Sequence, residues 1–483
     1  MGDKVNGEFF HQRCSLATHH FPVRHIADLT VNTVQVDRPV VGQIVKSQLL
    51  GNYFNSRPLG LISLRLPYKN CEGQKGYKMP LSYKVLVNSE LDHFKFIGES
   101  TIRLNAAITC IMSKIFCDHF PLCSGCQFIG TEYGDQKTKK ITDFTDLLQS
   151  FYTGPIGWLS AGEAELRDRL DFVWEQGVLG LYSHSAAQTI DIKFCQQLSP
   201  ELNLWYQDFR KIQWPIKKGS MRLRVGPQGQ RGVWLDFSNL DIKNLLEEKT
   251  LLSSLLDQAV VEVGQKRKIL EWHGSQLKLQ DPKPHVWFQS LFAEKEIGLF
   301  SHIASFTQPS MKANRLILLQ ITSWAQQSGL QRASEFGAGI GNLSIPLLAL
   351  VETLRVFEND ALSSQCFEKT IDTYPELSAK KKNIHFFIGD HLRPQEMVFF
   401  EDELLLVNPP RSGLKGFIET LRSSPTKPRE IIYLACAPGT FAEDGQHLSL
   451  MGYEMKEIFI VDQFPQSQHY EVLGRWLFQG KKL

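Results

Sequence analysis

Glu335-Phe-Gly337-Ala-Gly339-Ile-Gly341-Asn342 is the stretch on which the fold turns. It follows a strand-like run, Ala333 to Phe336, and precedes a helix-like one, Leu343 to Val351, so its glycines fall in a strand-to-helix turn. Glycine takes positive φ at little cost and lets a ligand approach the backbone closely. The glycines miss the G-x-G-x-x-G spacing of a dinucleotide site, and the acidic Glu335 at the head of the loop suits an amino acid and a ribose better than a pyrophosphate. The expected ligand of Glu335, Gly337, Gly339 and Gly341 is therefore S-adenosylmethionine. Glu358, at the end of the next strand, is expected to accept from ribose hydroxyls, and Asp390, after a third strand, to contact the adenine side.

Working outward, strand-like apolar runs alternate with helical ones: Leu354 to Phe357, Ile384 to Ile388, Leu404 to Val407, Ile431 to Ala435 and Met455 to Val461. Such alternation implies right-handed crossovers and a doubly wound parallel sheet with its ligands at the carboxyl ends of the strands. The fold class expected is α/β, with a Rossmann-like methyltransferase domain over 296–483. Before it, 101–295 reads as a β-rich central domain, in which Met221 to Val225 and Gly232 to Leu235 form a hairpin around Gly-Pro-Gln-Gly. Residues 1–100 alternate short apolar runs such as Leu61-Ile62-Ser63-Leu64 with Gly, Pro and Asn, and read as a divergent, irregular or β-rich region.

The chain has 483 residues, 42% of them hydrophobic, and a net charge of +2, so a nucleic-acid partner is not argued from global charge. Local basic stretches, Lys217-Lys218 to Arg231 and Lys266-Arg267-Lys268, are the candidate phosphate contacts. No apolar run reaches the roughly 18 residues of a membrane span, and Met1-Gly-Asp-Lys does not open a signal peptide. A cytoplasmic, monomeric protein is expected.

Among nine cysteines, Cys117, Cys123 and Cys126 are spaced C-x5-C-x2-C, and Cys195 supplies a fourth thiol. Reduced thiols at this spacing point to zinc or a [4Fe-4S] cluster; a compact triplet with one remote ligand favours the cluster over the two C-x2-C pairs usual for zinc. Cys14, Cys71, Cys110 and Cys366 read as plain thiols, and His11, His19, His20 and His25 as surface side chains.

Three further segments follow late strands: Asn408-Pro-Pro-Arg411, Ala435-Cys436-Ala437-Pro438, and Phe464-Pro-Gln-Ser-Gln-His469-Tyr-Glu471. One chemistry uses them together. Uracil C5 is too weak a nucleophile to attack a methyl sulfonium, but a thiolate adding at C6, here Cys436, makes C5 an enolate carbon that can. The C5 proton must then be removed, by Glu471. Arg411 is positioned to stabilise charge on a pyrimidine oxygen, and the Asn408 amide can donate to O4 and accept from N3–H. A stacked base cannot reach such a thiol, so the target must be flipped out or lie in a loop.

These motifs, with Phe306-Thr-Gln308, resemble the RNA 5-methyluridine methyltransferase family over about residues 115 to 480, specifically its iron-sulfur branch that includes bacterial 23S ribosomal RNA uracil-C5 methyltransferases. The resemblance implies uracil-C5 methylation of RNA, most naturally 23S rRNA, with tRNA or a catalytically weakened RNA-binding relative as alternatives. It implies Cys436 as nucleophile, Glu471 as base, Gln308, Glu358 and Asn408 in the cofactor and base pocket, and a [4Fe-4S] cluster on Cys117, Cys123, Cys126 and Cys195. The chain departs from the family where Asn408 stands for the usual Asp and where Ala435-Cys436-Ala437-Pro438 replaces Ser-Cys-Asn-Pro.

Overall fold

In the computed structural model the side chains of residues 115–389 and 398–480 are described, together with the backbone of four short strands before them. The chain divides into two units, 1–113 and 114–483. In the first, Gly60–Arg65 pairs antiparallel with Ser82–Val87, and Phe94–Lys95 with Thr101–Ile102, so the apolar run at Leu61 to Leu64 is a strand. Cys14, Cys71, Cys110, the four N-terminal histidines and Asp390 lie outside the described residues.

The second unit holds two eight-stranded sheets. In one, the neighbours run Ile384–Ile388, Thr353–Glu358, Arg332–Phe336, Glu403–Val407, Glu430–Ala435, Glu471–Phe478, Tyr453–Asp462 and Gly157–Ser160. The first five are parallel, as the alternating pattern predicts. Glu403–Val407 and Glu430–Ala435 are buried along their whole length, which is why they read as unbroken apolar runs rather than as alternation. Apolar clusters cover both faces, one around Trp324, Leu347 and Phe367, the other around Phe144, Phe417 and Trp476.

The sheet departs from the all-parallel expectation at its end. Glu471–Phe478 inserts antiparallel between Glu430–Ala435 and Tyr453–Asp462. The connection over 463–470 is too short for a crossover, which takes a dozen or more residues, so the chain can only fold back beside the strand it has left. The outer edge is supplied by Gly157–Ser160, drawn from within the 101–295 stretch, and the helix Tyr133–Leu148 joins the same side through Phe144 and Leu148.

The second sheet is almost wholly antiparallel and forms the β-rich lobe. The expected hairpin is present as Lys218–Val225 against Arg231–Asp236. The only parallel pair in this sheet, Arg231–Asp236 with Val260–Val263, is joined through the helices Asn239–Leu245 and Lys249–Leu256. Among the described residues, no helix is long and apolar enough to cross a membrane.

The basic stretches are largely absorbed by this lobe. Lys218 pairs with Glu175 at 2.8 Å, Arg222 with Asp171 at 2.6 Å, Arg231 with Asp208 at 2.9 Å and Arg267 with Asp360 at 2.9 Å. Arg224 is 1% exposed and donates to Thr307 and His302. These side chains brace the structure, while Lys217, Lys218 and Lys266 remain exposed.

Candidate active site

The order of the parallel strands reverses between Arg332–Phe336 and Glu403–Val407, and a crevice opens at such a switch point. Gly337 and Asn408 stand at the two strand ends; the Asn408 N–H donates to the Phe336 carbonyl at 3.1 Å. Gly341, at φ 84°, packs under Phe367 so closely that a Cβ would lie 2.3 Å from its ring, so no other residue fits there. The helix after the loop is shorter than expected, Ser344–Leu348.

The two acids of the loop differ in environment. Glu335 is buried; Ser344 donates to its Oε2, whereas Oε1 has no hydrogen-bond partner among the described residues. Burial, with a smaller contribution from Glu358, pushes its carboxyl up to about 8. An orphaned buried acceptor beside the glycines fits a cationic or N–H-bearing ligand such as the ammonium of S-adenosylmethionine. Glu358 is half-buried and accepts from the backbone N–H groups of Gly339 at 2.7 Å, Asn359 at 2.9 Å and Asp360 at 2.8 Å, so it shapes the loop.

Cys436 follows the strand Glu430–Ala435, and Glu471 opens the strand Glu471–Phe478. The antiparallel register ends with Ala435 opposite Val472, so Cys436 and Glu471 are the residues that flank its end on the two segments. The strand that sequence periodicity does not reveal is thus the one that carries the acid to the thiol. Burial raises the Cys436 thiol, and Glu471 raises it further; the Arg411 guanidinium nearby opposes both. Glu471 is 4% exposed and its Oε2 has no hydrogen-bond partner among the described residues. Burial pushes its carboxyl up to about 7, against the opposing influence of Gln463, Arg169 and Gln308.

Gln308 is buried and accepts from Gln463 Nε2 at 2.9 Å, so the acid sits beside a pair of amides. Gln463 carries no role in the sequence reading, although it lies next to the Phe464-Pro465 motif; nothing in one sequence separates it from an ordinary loop glutamine. Neither is the brace behind this loop legible. Lys140, on Tyr133–Leu148, pairs with Asp462 at 2.8 Å with both side chains fully buried, and donates to the Phe464 and His469 carbonyls at 3.3 and 3.2 Å. Tyr133 donates to the other Asp462 oxygen at 2.8 Å. Removing one partner of such a buried pair strands a charge, so the loop 462–470 is held hard in place.

Comparison with known proteins gives the family. Residues 377–479 match the family model described as tRNA (Uracil-5-)-methyltransferase. An uncharacterized RNA methyltransferase of Bdellovibrio bacteriovorus is 46% identical over 77% of this chain and 97% of its own length. The chain belongs to the RNA uracil-C5 methyltransferase family. Within that family, the 23S rRNA (uracil(1939)-C(5))-methyltransferase RlmD of Shewanella halifaxensis is 23% identical over 80% of this chain and 86% of its own. The crystal structure of Pyrococcus abyssi tRNA (uracil-54, C5)-methyltransferase with S-adenosyl-L-homocysteine shares the fold, with a TM-score of 0.53 and 17% identity over 74% of this chain and 86% of that one.

Two departures from the usual family motifs acquire a structural meaning. Ala437 is the N-cap of the helix Pro438–Leu450 and offers it no side-chain hydrogen bond, where the family's Asn would cap it. The missing cap costs about 0.5–2 kcal/mol locally. Asn408, half-buried at the switch point, presents an amide where the family presents a carboxylate.

The four cysteines gather at the edge of the β-rich lobe. Cys126 is raised to about 12, first by burial and then by Cys195, Cys123 and Cys117, while Arg167 opposes the rise. Burial also raises Cys123 and Cys195, again against Arg167. Among the described residues, no group of three or more His, Cys, Asp or Glu side chains converges as a metal-ion site. The cysteine loop is tied to the loop 462–470: Phe128 N–H donates to the Gln466 carbonyl at 2.8 Å, Gln136 and Gln466 are paired through their amides, and Arg167 stacks over Phe464 at 5.1 Å.

Proposed function

We propose that this protein methylates C5 of uracil in RNA, most naturally in 23S rRNA, through a covalent adduct on Cys436. The neighbouring placement of Cys436 and Glu471 at the end of one antiparallel register carries the reading. S-adenosylmethionine, when bound in the crevice at Glu335, Gly337, Gly339, Gly341 and Glu358, supplies an electrophilic methyl group; we assign Asp390 to its adenine side by sequence alone. Cys436, deprotonated beside Arg411, forms the sulfur–C6 bond and pushes the C5–C6 electron pair into an enolate over C5, C4 and O4. Asn408 donates to O4 and Arg411 faces the same developing charge. C5 takes the methyl group, whose bond to the donor's sulfonium would break to leave a neutral thioether; Glu471 accepts the C5 proton, and the resulting electron pair expels the Cys436 thiolate. Atoms and charge then balance, with one proton left on Glu471 to pass to solvent.

The rRNA assignment draws support from the named 23S rRNA relatives; the family model's tRNA description keeps tRNA as the second substrate class. The target base is read as flipped out or in a loop, and the protein as a cytoplasmic monomer. Mapping 5-methyluridine in ribosomal and transfer RNA from cells with and without the gene tests this. One uridine losing its methyl group in 23S rRNA is expected, and unchanged maps in both RNAs would overturn the proposal.

We further propose that Cys117, Cys123, Cys126 and Cys195 hold a [4Fe-4S] cluster. The donor set fits: four thiols that interact with one another, and a guanidinium, Arg167, to face the negative charge of a thiolate-bound cluster. Such a cluster meets its thiolates at separate irons, so its ligands need not converge on one point. Protein purified without oxygen is expected to be brown, to contain about four irons per chain and to bleach on reduction. A colourless protein with stoichiometric zinc would assign these thiols to zinc instead.

A further inference from the structure

Arg411 is exposed and sits in the loop 409–415, between the strand Glu403–Val407 and the helix Gly416–Ser423. A long side chain on a free loop would spend little time at a neighbouring sulfur, because holding it there costs rotamer and backbone entropy. This loop is not free. The Leu414 N–H donates to Asp444 Oδ2 at 2.9 Å, and the Tyr433 hydroxyl donates to the same oxygen at 2.7 Å. Gly413, at φ 73°, passes so close that a Cβ would lie 2.6 Å from that oxygen. The Thr440 hydroxyl donates to the Arg411 carbonyl at 3.3 Å, and the Gly413 N–H closes the turn on the Pro410 carbonyl at 2.9 Å.

The grip comes from the segment that presents the thiol. Tyr433 is three residues before Cys436 on its strand; Thr440 and Asp444 lie on the helix Pro438–Leu450 that follows it. Asp444 is itself buried, at 7% exposure, so its contacts with Leu414 and Tyr433 are shielded from water. We propose that Asp444, with Tyr433, is a positioning residue that holds the loop 409–415 so that Arg411 stays against Cys436. Its catalytic consequence rests on the reading of Cys436 as nucleophile; the positioning itself does not.

The groups that face Cys436 are Arg411 from this loop, Glu471 from the neighbouring strand and Tyr433 from its own, and those that face Asp444 are Tyr433, His447 and Glu443. Arg411 alone among the groups around the sulfur is a cation, so loosening it moves the thiol upward. The test is the pH dependence of iodoacetamide alkylation of Cys436 in the full chain, read by mass spectrometry of the Cys436 peptide. Asp444→Asn and Arg411→Met are each expected to raise the midpoint by about 0.5 to 1 pH unit, slowing alkylation about 3- to 10-fold below it. In the double variant the Asp444→Asn effect should disappear. Tyr433→Phe, which removes one donor and keeps the ring, should move the midpoint the same way by less, and it decides the matter if Asp444→Asn does not fold. An unmoved midpoint in the folded variants, or an Asp444→Asn shift undiminished beside Arg411→Met, would overturn the proposal. The readout needs neither RNA nor methyl donor, so a wrong substrate assignment leaves it intact.

Discussion

Cys436→Ala is expected to remove the covalent complex with RNA carrying 5-fluorouridine at the target, and to lower turnover on the order of 10⁴-fold or more, as loss of an attacking nucleophile does elsewhere. Fluorine at C5 cannot leave as a cation, so the native enzyme stalls with sulfur on C6 and the complex survives denaturing electrophoresis. The substitution takes away one half-buried sulfur at a strand end rather than a core side chain, and stability should change little. The alternative chemistry predicts the opposite pattern. An Asn-Pro-Pro methyltransferase acting on a nitrogen would have no use for the thiol, so Cys436→Ala would retain methylation and the product would carry an N-methyl group. Retained 5-methyluridine formation in the variant would remove Cys436 from the mechanism altogether.

That this prediction can be framed from residue types reflects how the fold is written in the chain. Five parallel strands are legible because each reads as an apolar run of strand length between helix-like stretches, and the two central ones, Glu403–Val407 and Glu430–Ala435, are buried along their whole length. The sixth, Glu471–Phe478, hides because Gly474 and Arg475 interrupt it. Both have reasons that only three dimensions supply: a Cβ at Gly474 would lie 2.7 Å from the Phe441 ring, and Arg475 pairs with Glu430 at 2.8 Å across the sheet. The same limit applies to the site. Cys436, Glu471, Arg411 and the glycines announce themselves by local motif, whereas the Lys140–Asp462 pair joins residues 322 positions apart. The ion pairs of the basic stretches are hidden for a related reason, since the carboxylates that pair with them, Asp171, Glu175, Asp208 and Asp360, come from other strands and helices.

Glu471→Gln should separate the two halves of the reaction. Glutamine keeps the size and polarity of the side chain but cannot take a proton at this pH, so methyl transfer proceeds and elimination does not. The variant is expected to accumulate a 5-methylated adduct on ordinary uridine RNA, without fluorine, and to turn over about 10²- to 10⁴-fold more slowly. The pH dependence of the native enzyme follows from the same group. Its carboxyl, pushed up to about 7 by burial, must be ionised to act as base, so breakdown of the adduct should accelerate as pH rises through about 7 and level off above it. Adduct formation depends instead on ionising Cys436, whose thiol is raised as well, so it should keep accelerating at higher pH. Single-turnover trapping across pH 6 to 9 reads the two steps apart. A Glu471→Gln protein that binds RNA yet forms product at near the native rate would require another base. Gln463 and Gln308 beside the acid cannot be that base, because neither amide takes a proton in this range.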